Sequence, residues 1–122
     1  MNQKQILIVE DEESLLKLLT IVLTVKGYKV EGAMDGHLAL ELVTTVRPDL
    51  ILLDIAIPGI DGLEVCRQVK SNEATHHIPV VLLTGDKSKK TFVMGEQVGA
   101  DWHLTKPIKA TLIIETIQRF LS

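Results

Sequence analysis

The sequence lacks several features that would place it in a specialised class of protein. Its only cysteine, Cys66, excludes a disulfide within the chain and fits a reducing compartment. No apolar run approaches the ~20 residues that a membrane-spanning helix needs. The first apolar run covers only residues 6–9 and is followed at once by acids, which is not the pattern of a signal peptide. We therefore expect a cytoplasmic protein that does not insert into a membrane.

Strong charge, low-complexity linkers and internal repeats are also missing. The net charge of −3 is too small to argue for direct binding of nucleic acid or of anionic lipid through bulk electrostatics. A length of 122 residues suits one domain and is short for two. We expect a single domain over residues 1–122, and no output domain because the last predicted helix reaches the end of the chain.

Short apolar runs alternate with segments of helical periodicity along the whole chain. The predicted strands cover residues 5–9, 28–33, 50–54, 78–83 and 102–104. The predicted helices cover 12–26, a segment capped by Asp35, a segment capped by Asp61, 88–98, and a last segment from Ile108 almost to Ser122. Gly95 interrupts the fourth helix, whose apolar face is irregular, so we expect that helix to be the most mobile. Strand–helix alternation with short loops predicts an α/β fold with one parallel sheet and right-handed crossovers.

We predict the inner faces of the helices from their apolar spacing. The apolar residues expected to face the sheet are Leu15, Leu18, Leu19, Val22 and Leu23 in the first helix, Leu38, Leu42 and Val46 in the second, and Leu63, Cys66 and Val69 in the third. In the last helix they are Ile108, Leu112, Ile113, Ile117 and Phe120, and Ile114 or Leu121 remain as surplus for a partner contact.

The segment PDLILLDIAIPGIDG, residues 48–62, contains the most informative carboxylate. Its apolar run is typical of a strand buried on both faces, and Asp54 closes that run. In open parallel sheets, ligands bind outside the carboxyl ends of the strands. Asp54 is therefore expected at the edge of the sheet where such sheets bind ligands.

Polar residues follow the other predicted strands at corresponding points. Glu10 and Asp11 follow the first strand, Thr84 the fourth and Lys106 the fifth, so all should gather beside Asp54. Three neighbouring carboxylates repel one another unless a cation joins them, and oxygen ligands at a solvated edge suit Mg²⁺. Such a cluster with a lysine and a hydroxyl suits a phosphoryl group, for which a carboxylate can be the nucleophile.

With these residues in this order, the sequence resembles the receiver domain of two-component response regulators. Five separated motifs carry the resemblance over essentially the whole chain: ILIVEDE, LLDIAIPGIDG, VVLLTG, GADWHLTKP and the closing amphipathic helix. The resemblance implies a doubly wound, flavodoxin-like (βα)5 fold with five parallel strands in the order 2-1-3-4-5. Stand-alone, chemotaxis-type receivers are the nearest kind.

The resemblance also implies roles for the residues at the sheet edge. Asp54 would be the phosphoacceptor. Glu10 and Asp11 would bind Mg²⁺ together with Asp54, helped by the backbone carbonyl of Ala56, and Mn²⁺ is an alternative ion. The acidic pair Glu-Asp is a frequent variant of the commoner Asp-Asp.

Further roles fall on the segments after the fourth and fifth strands. Thr84 would be the switch hydroxyl, and Lys106 would pair with Asp54 or with its phosphoryl oxygens. Pro107 would follow through a cis peptide bond. The switch aromatic, usually Tyr or Phe, is His103 here, which buries less apolar surface and can be charged near neutral pH. The neighbouring Trp102 is the only tryptophan.

The implied function is a phosphorylation-driven switch rather than a conventional enzyme. A sensor histidine kinase or a phosphotransfer protein would donate the phosphoryl group, and the domain would catalyse its own phosphorylation and dephosphorylation. It would then bind a downstream protein target or pass the group along a phosphorelay, as a monomer or weak dimer.

Three other functions compete with this one. A flavodoxin-like cofactor carrier would need a hydroxyl- or glycine-rich first loop, whereas residues 10–13 are all acidic. A phosphatase with an aspartate nucleophile usually has a second acid where Ala56 stands. A degenerate receiver that only binds partners would not need the complete set of site residues.

Two residue clusters have simpler interpretations. The four histidines and Cys66 match no zinc-ligand spacing, so we interpret them as surface histidines and a core thiol. Lys87, Lys89 and Lys90 fit a solvated helix face better than a docking site for an acidic partner.

Overall fold

A computed structural model describes residues 3–121. Five strands alternate with five helices. The strands are β1 (Gln5–Val9), β2 (Lys29–Ala33), β3 (Leu50–Asp54), β4 (Val80–Thr84) and β5 (Trp102–Thr105). The helices are α1 (Glu13–Val25), α2 (Gly36–Val46), α3 (Gly62–Ser71), α4 (Lys89–Gln97) and α5 (Ala110–Leu121). The predicted last helix extends towards Ser122, which lies outside the described residues.

The five strands form one parallel sheet in the order β2-β1-β3-β4-β5, which confirms the predicted fold. The central strand β3 is fully buried and pairs with β1 on one side and β4 on the other. Its last residue, Asp54, lies opposite Leu83, and Thr84 lies opposite Thr105 of β5. The carboxyl ends of these strands therefore meet along one edge.

Each face of the sheet has its own apolar core. Alternate residues of β1 point to opposite faces, so Leu7 and Val9 pack with α2 and α3 whereas Ile6 and Ile8 pack with α1 and α5. This two-sided burial explains why the strands are continuous apolar runs instead of alternating patterns. None of the helices within residues 3–121 combines the length and the apolar character needed to cross a membrane.

The predicted inner faces of α1, α2 and α5 were partly wrong. Leu18 is 54% exposed, Leu38 is 37% exposed and Leu112 is 44% exposed, so none of the three contributes to the core as expected. Leu19 and Leu23 are the buried residues of α1. In α2 the buried side chains are Ala39 and Val43. These helices carry apolar residues on more than one side, so spacing alone does not show which side faces the sheet.

Gly95 has a packing role that differs from the predicted interruption of α4. The helix is continuous from Lys89 to Gln97, and Gly95 is its buried residue. A Cβ atom built at Gly95 would lie 2.9 Å from Leu82 Cδ1 in β4. The absence of a side chain therefore lets α4 approach the sheet closely.

Candidate functional site

The candidate site is assembled from the carboxyl ends of four strands. Glu10 and Asp11 directly follow β1, Asp54 and Thr84 are the last residues of β3 and β4, and Lys106 follows β5. Because β1, β3, β4 and β5 are adjacent and parallel, these separate parts of the sequence meet at one edge.

Three carboxylates meet at the centre of this edge. One oxygen atom from each of Glu10, Asp11 and Asp54 lies within 4.8 Å of the others. Glu10 and Asp54 are buried, whereas Asp11 is exposed and leaves the cluster open to solvent. An all-oxygen set with one open side fits Mg²⁺, which usually keeps several water ligands. The donor chemistry therefore fits the predicted ion.

Lys106 joins two of these carboxylates. Its Nζ atom donates to Asp54 Oδ2 at 2.7 Å and to Glu10 Oε1 at 2.7 Å. Burial raises the pKa of Glu10 above its usual value, although the hydrogen bond from Lys106 opposes this shift. For Lys106 itself, burial lowers the pKa, but the hydrogen bonds to Asp54 and Glu10 outweigh it and hold the pKa above its ordinary value. Lys106 is therefore charged at neutral pH and partly neutralises the cluster.

The backbone around Asp54 fixes its second oxygen. The N–H of Ala56 donates to Asp54 Oδ1 at 2.9 Å, so the carboxylate is held from both sides. The N–H of Glu12 donates to Glu10 Oε2 at 3.2 Å in the same way.

The peptide between Lys106 and Pro107 is cis, as the resemblance implied.

Comparison with known sequences identifies the family. The sequence model of the response regulator receiver domain matches residues 6–118. The chain belongs to this family. Response regulator PleD of Caulobacter vibrioides is 41% identical over 114 residues, which are 93% of this chain and 25% of PleD. The chain thus spans about a quarter of the length of the curated relatives that it matches.

Solved structures of receiver domains have the same fold. Chemotaxis protein CheY4 of Vibrio cholerae has a TM-score of 0.92 at 31% identity, covering 98% of this chain and all of that one. The receiver domain of a signal transduction histidine kinase from Syntrophus aciditrophicus has a TM-score of 0.91 at 35% identity, covering 97% of this chain and 89% of that one.

Thr84 of the receiver domain is buried at the end of β4. Its Oγ1 accepts a hydrogen bond from the backbone N–H of Asp86 at 3.0 Å. Among the described residues no hydrogen bond joins Thr84 to Asp54, and the hydroxyl proton of Thr84 has no acceptor. The hydroxyl can therefore still donate to a group that arrives at the site.

His103 is not part of the carboxylate cluster. It lies opposite Leu82, two residues before the end of β4, and its ring packs against Phe92 of α4 with 5.6 Å between the centroids. The structure thus places the predicted switch residue beneath α4, behind the edge that carries Asp54 and Lys106.

Sequence reasoning missed the importance of Gly62, the last residue of the segment 48–62. A Cβ atom at this position would lie 2.3 Å from the carbonyl oxygen of Asp54 and 2.7 Å from Ile55 Cα. The N–H of Gly62 donates to the carbonyl of Ile55 at 2.9 Å, so α3 begins directly against the backbone of the candidate phosphoacceptor. The signal available in the sequence was the Asp61-Gly62 pair that ends the motif LLDIAIPGIDG.

Proposed function

We propose that this receiver domain accepts a phosphoryl group on Asp54 from a sensor histidine kinase or a phosphotransfer protein. The observation that carries the proposal is the position of Asp54 among Glu10, Asp11 and Lys106, with Lys106 Nζ 2.7 Å from Asp54 Oδ2. Membership of the response regulator receiver family supports it.

In the proposed reaction a carboxylate oxygen of Asp54 forms a bond to phosphorus as the bond from phosphorus to the donor histidine nitrogen breaks. The nitrogen keeps the electron pair of that bond. Lys106 neutralises negative charge on the phosphoryl oxygens, and Thr84 donates its free hydroxyl proton to one of them. Water later attacks the phosphorus atom, the bond from phosphorus to the Asp54 oxygen breaks, and inorganic phosphate leaves, which restores the carboxylate. The domain would thereby catalyse its own dephosphorylation.

Glu10, Asp11 and Asp54 are the residues that would hold Mg²⁺, or Mn²⁺ in its place, with the backbone carbonyl of Ala56 as a further proposed ligand. The bound ion supplies positive charge that stabilises the phosphoryl oxygens during transfer. The three carboxylates thus serve as ligands, and Asp54 serves as nucleophile as well.

The output of the switch is proposed to be protein binding through the region of Thr84, His103 and Lys106. The hydrogen bond from Asp86 N to Thr84 Oγ1 links the site to the loop before α4, which supports this route. We propose a cytoplasmic regulator, a monomer or weak dimer that binds a downstream protein or acts in a phosphorelay. Direct binding of nucleic acid and insertion into a membrane are not part of the proposal.

The test is phosphorylation by a small phosphodonor. With acetyl phosphate and Mg²⁺, we expect the intact mass to increase by one phosphoryl group. With EDTA in place of Mg²⁺, phosphoryl uptake is expected to fall by roughly 100-fold or more, because Lys106 alone offsets only part of the repulsion between the three carboxylates and the phosphoryl oxygens. If the phosphoryl adduct forms but hydrolyses before it is detected, a stable beryllofluoride complex observed by NMR identifies that case. Uptake that is equal in EDTA and Mg²⁺, or the absence of both the adduct and the beryllofluoride complex, would contradict the proposal.

A further inference from the structure

The ring of His103 is packed under α4 with one nitrogen buried. Its Nδ1 atom has no hydrogen-bond partner among residues 3–121. A Cβ atom at Gly95 would lie 3.7 Å from this nitrogen, so the ring contacts the surface of α4 itself. Phe92 covers the ring from the preceding turn of the same helix. A neutral imidazole can occupy this position, because a bare Nδ1 lone pair needs no acceptor.

Two cavities leave room for this ring to move. One, of about 250 Å³, lies on the side of Gly95 and Trp102. The other, of about 320 Å³, lies on the side of Asp86 and Ser88. His103 and Phe92 line both cavities, so the two rings form the wall between them. The ring therefore has an alternative position within reach of the loop before α4.

The charges around His103 favour one of these two directions. The charged side chains that line the cavities are Asp86, Lys87, Lys89, Glu96 and Asp101. Burial lowers the pKa of His103, and Asp86 is the group that opposes this shift. Asp101 is already paired with Lys70 at 2.6 Å. Lys87 and Lys89 line the same cavity as Asp86 and weaken its attraction for an imidazolium. Asp86 is nevertheless the charged group, rather than Glu96, that raises the pKa of His103, so it is the carboxylate towards which a protonated ring would turn.

Asp86 also holds the start of α4. Its Oδ1 accepts from the N–H of Ser88 at 2.8 Å, and its Oδ2 accepts from Thr91 Oγ1 at 2.6 Å. Ser88 is the N-cap of α4 and in turn accepts from the N–H of Thr91. An imidazolium that binds the carboxylate of Asp86 competes with these hydrogen bonds, and the first turn of α4 loses part of its anchoring.

We propose that His103 is a proton-sensitive switch, whose neutral ring fastens α4 to β5 and whose protonated ring turns towards Asp86 and loosens the first turn of α4. Protonation creates a buried Nδ1–H donor without an acceptor, and this is costly unless the ring moves. The switch concerns proton uptake at α4 and does not depend on phosphoryl transfer. A failure of Asp54 to accept a phosphoryl group would leave it intact.

The sign of the pH dependence follows from the lowered pKa. The packed ring binds protons less readily than a free histidine with its value of 6.5. The stability that the packed ring contributes is therefore present above pH 6.5 and is lost as the pH falls through the lower folded value. Relative to a His103→Phe variant, which keeps an aromatic ring but cannot titrate, the wild-type chain should lose stability on acidification.

The experiment measures the titration of His103 by long-range ¹H–¹⁵N NMR and the emission of the neighbouring Trp102 across pH 4.5–8. We expect a His103 midpoint below 6.5, a Trp102 transition with the same midpoint, and faster amide exchange in the first turn of α4 on the acidic side. Asp86→Asn should move the midpoint to lower pH, because the carboxylate that favours the charged ring is gone.

Two variants keep the inference falsifiable. His103→Phe should abolish the Trp102 transition, whereas His76→Phe, at an exposed histidine outside the α4–β5 contact, should leave it unchanged. A His103 midpoint at or above 6.5 would overturn the inference. So would a Trp102 transition that persists in His103→Phe, or an amide exchange pattern in α4 that does not follow the titration.

Discussion

Asp54→Asn is expected to abolish phosphoryl uptake from acetyl phosphate, with a loss of at least roughly 100-fold, since an amide oxygen is a poor nucleophile beside a carboxylate. The fold should survive. The amide oxygen of the variant can still accept a hydrogen bond from the N–H of Ala56 or from Lys106, which Asp54 binds through Oδ1 and Oδ2. Stability should stay equal or rise, because one of three mutually repelling carboxylates is removed. Intact mass and urea unfolding measure the two effects.

Asp61→Asn is the matched control for this experiment. Asp61 ends the loop that follows Asp54 and caps α3 by accepting from the N–H of Glu64 at 2.9 Å. Asparagine is about as good an N-cap as aspartate, so both folding and phosphorylation should be retained. Equal phosphoryl uptake by the Asp54→Asn variant and the wild-type chain would refute the role of Asp54.

Gly62→Ala is expected to have the largest effect on stability. The new methyl group would lie 2.3 Å from the carbonyl oxygen of Asp54 and 2.7 Å from Ile55 Cα, both backbone atoms that cannot move aside cheaply. We expect a loss of about 3 kcal/mol in the free energy of unfolding, in line with overpacking at a rigid contact and despite the higher helix propensity of alanine. Urea unfolding in EDTA measures this without a contribution from metal binding.

Gly85→Ala is its control. Gly85 follows β4 at the same edge of the sheet, and a Cβ atom there would meet nothing within 4 Å. The change in stability should stay within about 1 kcal/mol and can be favourable. Equal stability of the Gly62→Ala and Gly85→Ala variants would contradict the close contact between α3 and the backbone of Asp54.

The strands and the set of residues at the sheet edge were the predictable part of this molecule. β1 and β3 match their predicted bounds, because fully buried strands are uninterrupted apolar runs that end at polar residues. The proximity of Glu10, Asp54 and Lys106 followed from parallel strands that share one edge. Predicting that these three residues lie close together requires only the direction and the order of the strands.

Contacts that depend on how elements approach each other were not predictable. Spacing could not show that Leu18 and Leu38 face solvent, because the helix faces are set by packing against the whole sheet. Nor could spacing show that a side chain at Gly62 or Gly95 would collide with a neighbouring element. The unpartnered Nδ1 of His103 depends on where α4 settles, which no local pattern records.

The decisive measurement identifies which residue carries the phosphoryl group. The chain is phosphorylated with acetyl phosphate and Mg²⁺ and then treated with borohydride, which reduces an aspartyl phosphate to homoserine. Peptide mass spectrometry then reads the position. We predict that Asp54 and no other residue is converted to homoserine, and only in samples that received both the donor and the ion. Conversion of Asp11 or Asp61, or a phosphoryl group on a histidine that borohydride leaves unchanged, would contradict it.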